Sequence, residues 1–170
     1  VAASFSLVPD IGFSLFPKAG VPQFLVQIEA EEGASIPATD AIARQVEARL
    51  AQLPGIANYF TTVGNSNPQI YYNEIPQATK ANVAEIFAAL KSYDSKATPA
   101  LLEGLRRECA AIPGARIVVK ELENGPPIEA PIVVRVFAEE LDTLARLAAQ
   151  VEERLHAIEG THSVHNLLPV

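Results

Sequence analysis

The chain has no methionine, no tryptophan and one cysteine among its 170 residues. A single cysteine excludes a disulfide framework and any metal site built from several thiolates. Positive charge is scarce, with 13 Lys+Arg against 20 Asp+Glu and a formal net charge of −7. That balance disfavours a phosphate backbone as partner, so no nucleic acid is expected. No stretch approaches the roughly 20 apolar residues of a membrane span. The nearest is residues 1–16, which Ser4, Pro9, Asp10 and Gly12 interrupt. It reads either as a buried arm or as the stub of a membrane helix. The chain opens on Val1-Ala2-Ala3 with no methionine and no signal-peptide pattern. It is expected to be a piece of a longer protein, the other reading being an intact protein trimmed of its methionine. No GxGxxG, GxxxxGK[ST], HExxH or GxSxG occurs, so phosphate-loop, zincin and serine-hydrolase chemistries have no local motif.

The hydrophobic fraction of 49% and charged fraction of 19% describe a globular chain. Phe24, Val26 and Ile28 alternate with Leu25, Gln27 and Glu29, which reads as a strand. Ser35 or Thr39 can cap a following helix, whose stripe is Ile42, Val46, Leu50 and Leu53 and which Pro54-Gly55 stops. Residues 56–63 are β-branched and aromatic and read as a strand. Gly64 to Pro68 is a turn. Ile70-Tyr71-Tyr72 could form a short strand inside an otherwise loop-like stretch. Val83 to Leu90 is a strand candidate with helical alanine content. Thr98-Pro99 reads as a helix start, with Leu102, Leu105, Cys109 and Ile112 as its stripe and Pro113-Gly114 as its end. Ala115 to Glu121 is a strand. Asn124-Gly125-Pro126-Pro127 is the clearest break in the chain. Beyond it, Pro131 to Phe137 reads as a strand. Leu141, Leu144, Ala148, Val151, Leu155 and Ile158 give the most regular helix signal, and residues 162–168 are a last strand candidate.

The segment Gln45–Gly55 matches Gln150–Gly160, and both follow a strand and an acidic turn. The chain therefore reads β-α-β three times over. A βαββαβ unit is the ferredoxin-like, split-βαβ plan of the α+β class, with helices on one face of an antiparallel sheet. The expected division is residues 1–21 as the apolar stub, 22–124 as a complete unit and 125–170 as the first half of a second.

No catalytic constellation stands out, and no enzyme activity, metal or cofactor is expected. His162 and His165 are three apart on an expected strand, where their side chains point to opposite faces. Glu31-Glu32 and Glu139-Glu140 lie at or before helix starts, where the helix dipole favours anions. Cys109 sits on an apolar helical stripe and reads as a small core residue. What remains is binding. Tyr59, Phe60, Tyr71, Tyr72 and Phe87 cluster in residues 56–90, where they either fill the core or line an apolar pocket. Asn65, Ser66, Asn67 and Asn73 could supply its polar part. Adjacent Tyr71 and Tyr72 cannot both face one core, so one is expected to reach a cleft or solvent.

Residues Leu15 to Gly20, Gly33-Ala34-Ser35, Gly125-Pro126-Pro127 and Ala130 to Arg135, in this order and spacing, resemble the periplasmic porter region of resistance-nodulation-division (RND) efflux permeases. The likeness is best to the C-terminal half and spans about residues 11 to 168. It implies a complete porter subdomain followed by the first half of a second, which that family interrupts with a docking domain. It also implies passage of amphiphilic small molecules, driven by protons through membrane helices that this chain does not carry. The implied partners are two further copies in a homotrimer of the inner membrane, a periplasmic adaptor and an outer-membrane channel. Carried over by motif, Phe60 and Thr62 fall on the second strand and Phe87 on the third, at substrate-lining positions. Residues 64–80 take the place of the loop between outer and inner pockets, with Tyr71 and Tyr72 where drug pumps often have Phe and Gly. The branch that passes soft metal ions uses methionines, so a chain without them is expected to lie outside it. The rival reading is a stand-alone ferredoxin-like sensor that binds small ligands.

Overall fold

The computed structural model of the chain describes residues 18–76, 79–127 and 132–158, with residues 161, 164, 166 and 168. The chain divides into two compact units, Val1–Pro127 and Ile128–Val170. In the first, strand β1 (Gln23–Ala30) leads to helix α1 (Ile36–Leu50) and strand β2 (Ile56–Val63). Strand β3 (Val83–Leu90), helix α2 (Ala97–Ala110) and strand β4 (Ala115–Glu121) repeat the pattern. The sheet has four strands in the order β2-β3-β1-β4, every pair antiparallel. This is the ferredoxin-like α+β plan expected from the sequence.

Alternation decides the two faces of the sheet. Phe24, Val26 and Ile28 of β1 stand opposite Ala88, Ile86 and Ala84 of β3, and Val26 and Ile28 also face Val119 and Ile117 of β4. The alanines of β3 leave room for helices to approach, which is why an alanine-rich run serves here as a central strand. Val46 and Leu50 of α1 and Leu102, Leu105 and Cys109 of α2 close this face into one core. Burying each large aliphatic side chain contributes about 1.5–3 kcal/mol, so this face carries most of the stability.

Local signals set the element ends. Ser35 is the N-cap of α1, its hydroxyl accepting from Ala38 N at 3.4 Å. Thr39 lies one turn further on, fully buried, and donates to Ala81 O at 2.8 Å. Helix α2 starts before the expected Thr98. Asp94 Oδ1 accepts from Lys96 N at 2.8 Å and Ala97 N at 2.7 Å, while Thr98 Oγ1 accepts from Asp94 N at 3.0 Å. Asp94 thus satisfies the free amides of the first turn, and Thr98 answers from inside the helix. Ile70-Tyr71-Tyr72 forms no strand, because its hydrogen bonds go to other groups.

The second unit contains helix α3 (Leu141–His156), on which no residue is fully buried. Of the strand expected over Pro131–Phe137, the described residues 132–137 have no regular structure, and Phe137 is 84% exposed. A strand exists only with a ladder partner, and no described residue of this unit offers one. The last expected strand, 162–168, lies largely outside the described residues, as does all of 1–17. No helix among the described residues is long and apolar enough to cross a membrane.

Candidate functional site

The face of the sheet away from the helices carries Phe60 and Thr62 on β2, Glu85 and Phe87 on β3, Leu25 and Gln27 on β1, and Lys120 on β4. Phe60 stands directly opposite Phe87, and Thr62 opposite Glu85. Leu25 and Glu85 are buried although no helix covers them. The chain between β2 and β3 covers them instead. It leaves β2 at Gly64, whose φ of +81° favours glycine. It then crosses towards β4, where the Lys120 ammonium meets the Glu74 carboxylate at 2.9 Å. Midway, Asn67 N donates to Glu85 Oε1 at 3.0 Å, which accounts for a carboxylate in an otherwise apolar strand.

This crossing divides the sequence-expected site residues into three groups. Phe60, Thr62 and Asn65 line an open cleft of about 380 Å³, together with Asn67, Pro68 and Pro76. Tyr71 and Phe87 line a small pocket of about 10 Å³ beside the crossing segment, about the room of one water. Tyr72 faces neither space: it is 62% exposed, and its hydroxyl accepts from Gly125 N at 2.7 Å. The Tyr71 hydroxyl donates to Asn124 Oδ1 at 2.9 Å, so the two adjacent tyrosines hold one neighbouring segment.

In the cleft, Phe60 is 60% exposed and offers a bare ring. Thr62 Oγ1 donates to Asn67 Oδ1 at 2.6 Å, a length typical of an O–H···O bond. That leaves the buried Asn67 Nδ2 with no hydrogen-bond partner. Asn65 Oδ1 accepts from Ser66 N at 2.9 Å. Glu85, Pro68 and Pro76 were not expected as site residues from the sequence. Glu85 had a visible signal: a lone charge two residues from Phe87, hence on the same face of the strand. The cleft offers a ring, a hydroxyl, carboxamides and two prolines, a set that binds by area burial with a few polar contacts. It holds no nucleophile paired with a base. Among the described residues, no three His, Cys, Asp or Glu side chains gather to hold a metal ion.

The chain matches the AcrB/AcrD/AcrF family over residues 1–168, and it belongs to that family as the porter region of an RND permease. It is 25% identical over 179 residues to Protein HelA of Legionella pneumophila, an alignment covering 96% of this chain and 16% of that protein. It superposes on a solved structure of a heavy metal efflux pump with a TM-score of 0.59 and 15% identity, over 94% of this chain and 18% of that one. A second crystal form of a heavy metal efflux pump gives a TM-score of 0.51 and 17% identity, over 71% of this chain and 13% of that one. Such identities show the fold alone. The chain spans 16% of the length of its curated relative. The expectation that a methionine-free chain stands outside the metal branch thus meets structural relatives described as metal pumps, and the cargo has to be argued from the cleft.

Proposed function

We propose that this chain is the periplasmic substrate-passage part of a proton-driven RND efflux permease, from its C-terminal half, and that the cleft beside Phe60 lies on the path of amphiphilic small molecules. The observation that carries this is the convergence of Phe60, Thr62 and Asn65 on one open cleft in a chain of this family. An exposed phenyl ring gains about 25 cal/mol for each Å² that a ligand covers. The cleft's side chains favour amphiphiles over soft metal ions, which seek thioether, thiolate or imidazole donors. The chain has no methionine, and its one cysteine lies buried in the core. In this reading residues 22–124 are a complete porter subdomain. The second unit is the first half of another, completed by residues elsewhere in the longer protein. The intact protein is then an inner-membrane homotrimer working with a periplasmic adaptor and an outer-membrane channel.

The test is efflux by the full-length protein, produced with its adaptor in bacteria stripped of their own pumps. Expected is export of ethidium and Nile red, cut several-fold by Phe60→Ala at equal membrane abundance. Tolerance to metal salts with no dye export would overturn the reading.

A further inference from the structure

The segment that walls the cleft is also tied down at its far end. Asn73 Nδ2 donates to Glu123 O at 2.8 Å and to Gly125 O at 3.0 Å. Two carbonyls at one end of the amide fix its orientation, since only the NH₂ group can serve both. Asn73 is 9% exposed, so both bonds are partly shielded from water. The Tyr71 hydroxyl donates to Asn124 Oδ1 and the Gly125 amide to the Tyr72 hydroxyl. Gly125 has a φ of +135°, a conformation open to glycine and little else, and with it both its N–H and C=O are engaged. The chain runs on from there through Pro126-Pro127 to Ile128, where the second unit begins. At its other end the same segment lines the cleft through Asn65, Asn67 and Pro68. The fixed φ angles of Pro68 and Pro76 leave it less slack to absorb a displacement.

We propose that Tyr71, Tyr72 and Asn73 are positioning residues, a latch that ties the wall of the cleft to Glu123–Gly125 so that the two shift as one body. Where it concerns a ligand, this rests on the function proposed above; the tie itself does not.

Two substitutions isolate the latch. Asn73→Asp keeps the side chain's shape and removes both donors. Tyr72→Phe removes one hydroxyl and keeps the ring against Tyr71, whose centroid is 5.0 Å away. Hydrogen exchange by mass spectrometry is measured on the full-length protein in nanodiscs, over residues 64–76, 121–127 and β1. Nile red affinity is measured alongside by fluorescence polarisation. In either variant, exchange is expected to rise about tenfold in 64–76 and 121–127 together, with β1 unchanged. Nile red affinity is expected to fall three- to tenfold, at about the same cost as one lost hydrogen bond, although neither substituted side chain lines the cleft. A purely local packing role would not move that affinity. Faster exchange in only one segment, or in neither, overturns the latch. A wild-type protein that ignores Nile red while the paired acceleration persists leaves the latch standing and overturns the functional reading. If Asn73→Asp also opens β1, Tyr72→Phe decides the matter, because it leaves the ring packing in place.

Discussion

A phenylalanine is a core residue or a contact according to what covers it, and the strand decides which. Phe24 is 0% exposed between the sheet and its helices, whereas Phe60 is 60% exposed on the other face. Phe24→Ala should therefore cost about 3–5 kcal/mol, and Phe60→Ala no more than about 0.5 kcal/mol. Urea denaturation of the chain reads both. If Phe60→Ala proves as costly as Phe24→Ala, the ring is structural and the cleft reading fails. The alternation of β1 made the role of Phe24 legible in the sequence. Phe60 and Phe87 were not separable there, since a segment crossing from elsewhere covers one and spares the other. Nor were the roles of Tyr71 and Tyr72 legible, because their partners lie 53 positions along the chain. Cys109 was read correctly as a core residue. Burial pushes its thiol up to about 11 from an ordinary value of 9.0, with Arg49 opposing the rise in part. Its folded pKa is raised, so the stability it confers is complete below about pH 9 and is lost as pH climbs through about 11. The amount is about 2–3 kcal/mol, roughly 1.4 for each pKa unit. Maleimide should label Cys109 at pH 8 only in urea, and labelling of the native chain within minutes would contradict its burial.

At the scale of elements, the strands and helices of the first unit were legible because periodicity and stop signals agreed. The start of α2 was not, because Thr98-Pro99 imitates a cap and the working cap lies four residues earlier. Asp94 takes two backbone N–H bonds, from Ala97 and Lys96, and these hold its carboxyl below the ordinary 3.8. A depressed pKa contributes stability that is present above 3.8 and lost as pH falls through the folded value. Asparagine caps about as well as aspartate and does not titrate in this range. Asp94→Asn should therefore leave the urea midpoint at pH 7 nearly unchanged and flatten its fall as pH drops below the aspartate's ordinary 3.8. Identical acid profiles for the two proteins would show that the cap's charge plays no part in α2.

At the scale of the whole chain, one pattern appears twice with two outcomes. Gln45–Gly55 and Gln150–Gly160 share their spacing of valine and leucine, and Gln45–Leu50 and Gln150–His156 form the ends of α1 and α3. On α1 the stripe is buried, with Val46 and Leu50 fully covered by the sheet. On α3 the matching Val151 and Leu155 are only half-buried, and Ile132, Val133 and Phe137 ahead of them are exposed. The repeat was legible in the sequence, but the lack of a sheet among the described residues of the second unit was not, since a strand depends on a partner that its own residues do not encode. If α3 belongs to half of a porter subdomain, its stability must come from residues outside this chain. In the isolated 170-residue chain, the amides of α3 should then exchange at least about a hundredfold faster than those of β1, as expected where few apolar contacts are buried. In the full-length protein the same amides should slow towards the rate of β1, because burial of the apolar stripe adds the missing contacts. Hydrogen exchange on both proteins checks this, and α3 amides as slow as those of β1 in the isolated chain would mean that the second unit is complete without a partner.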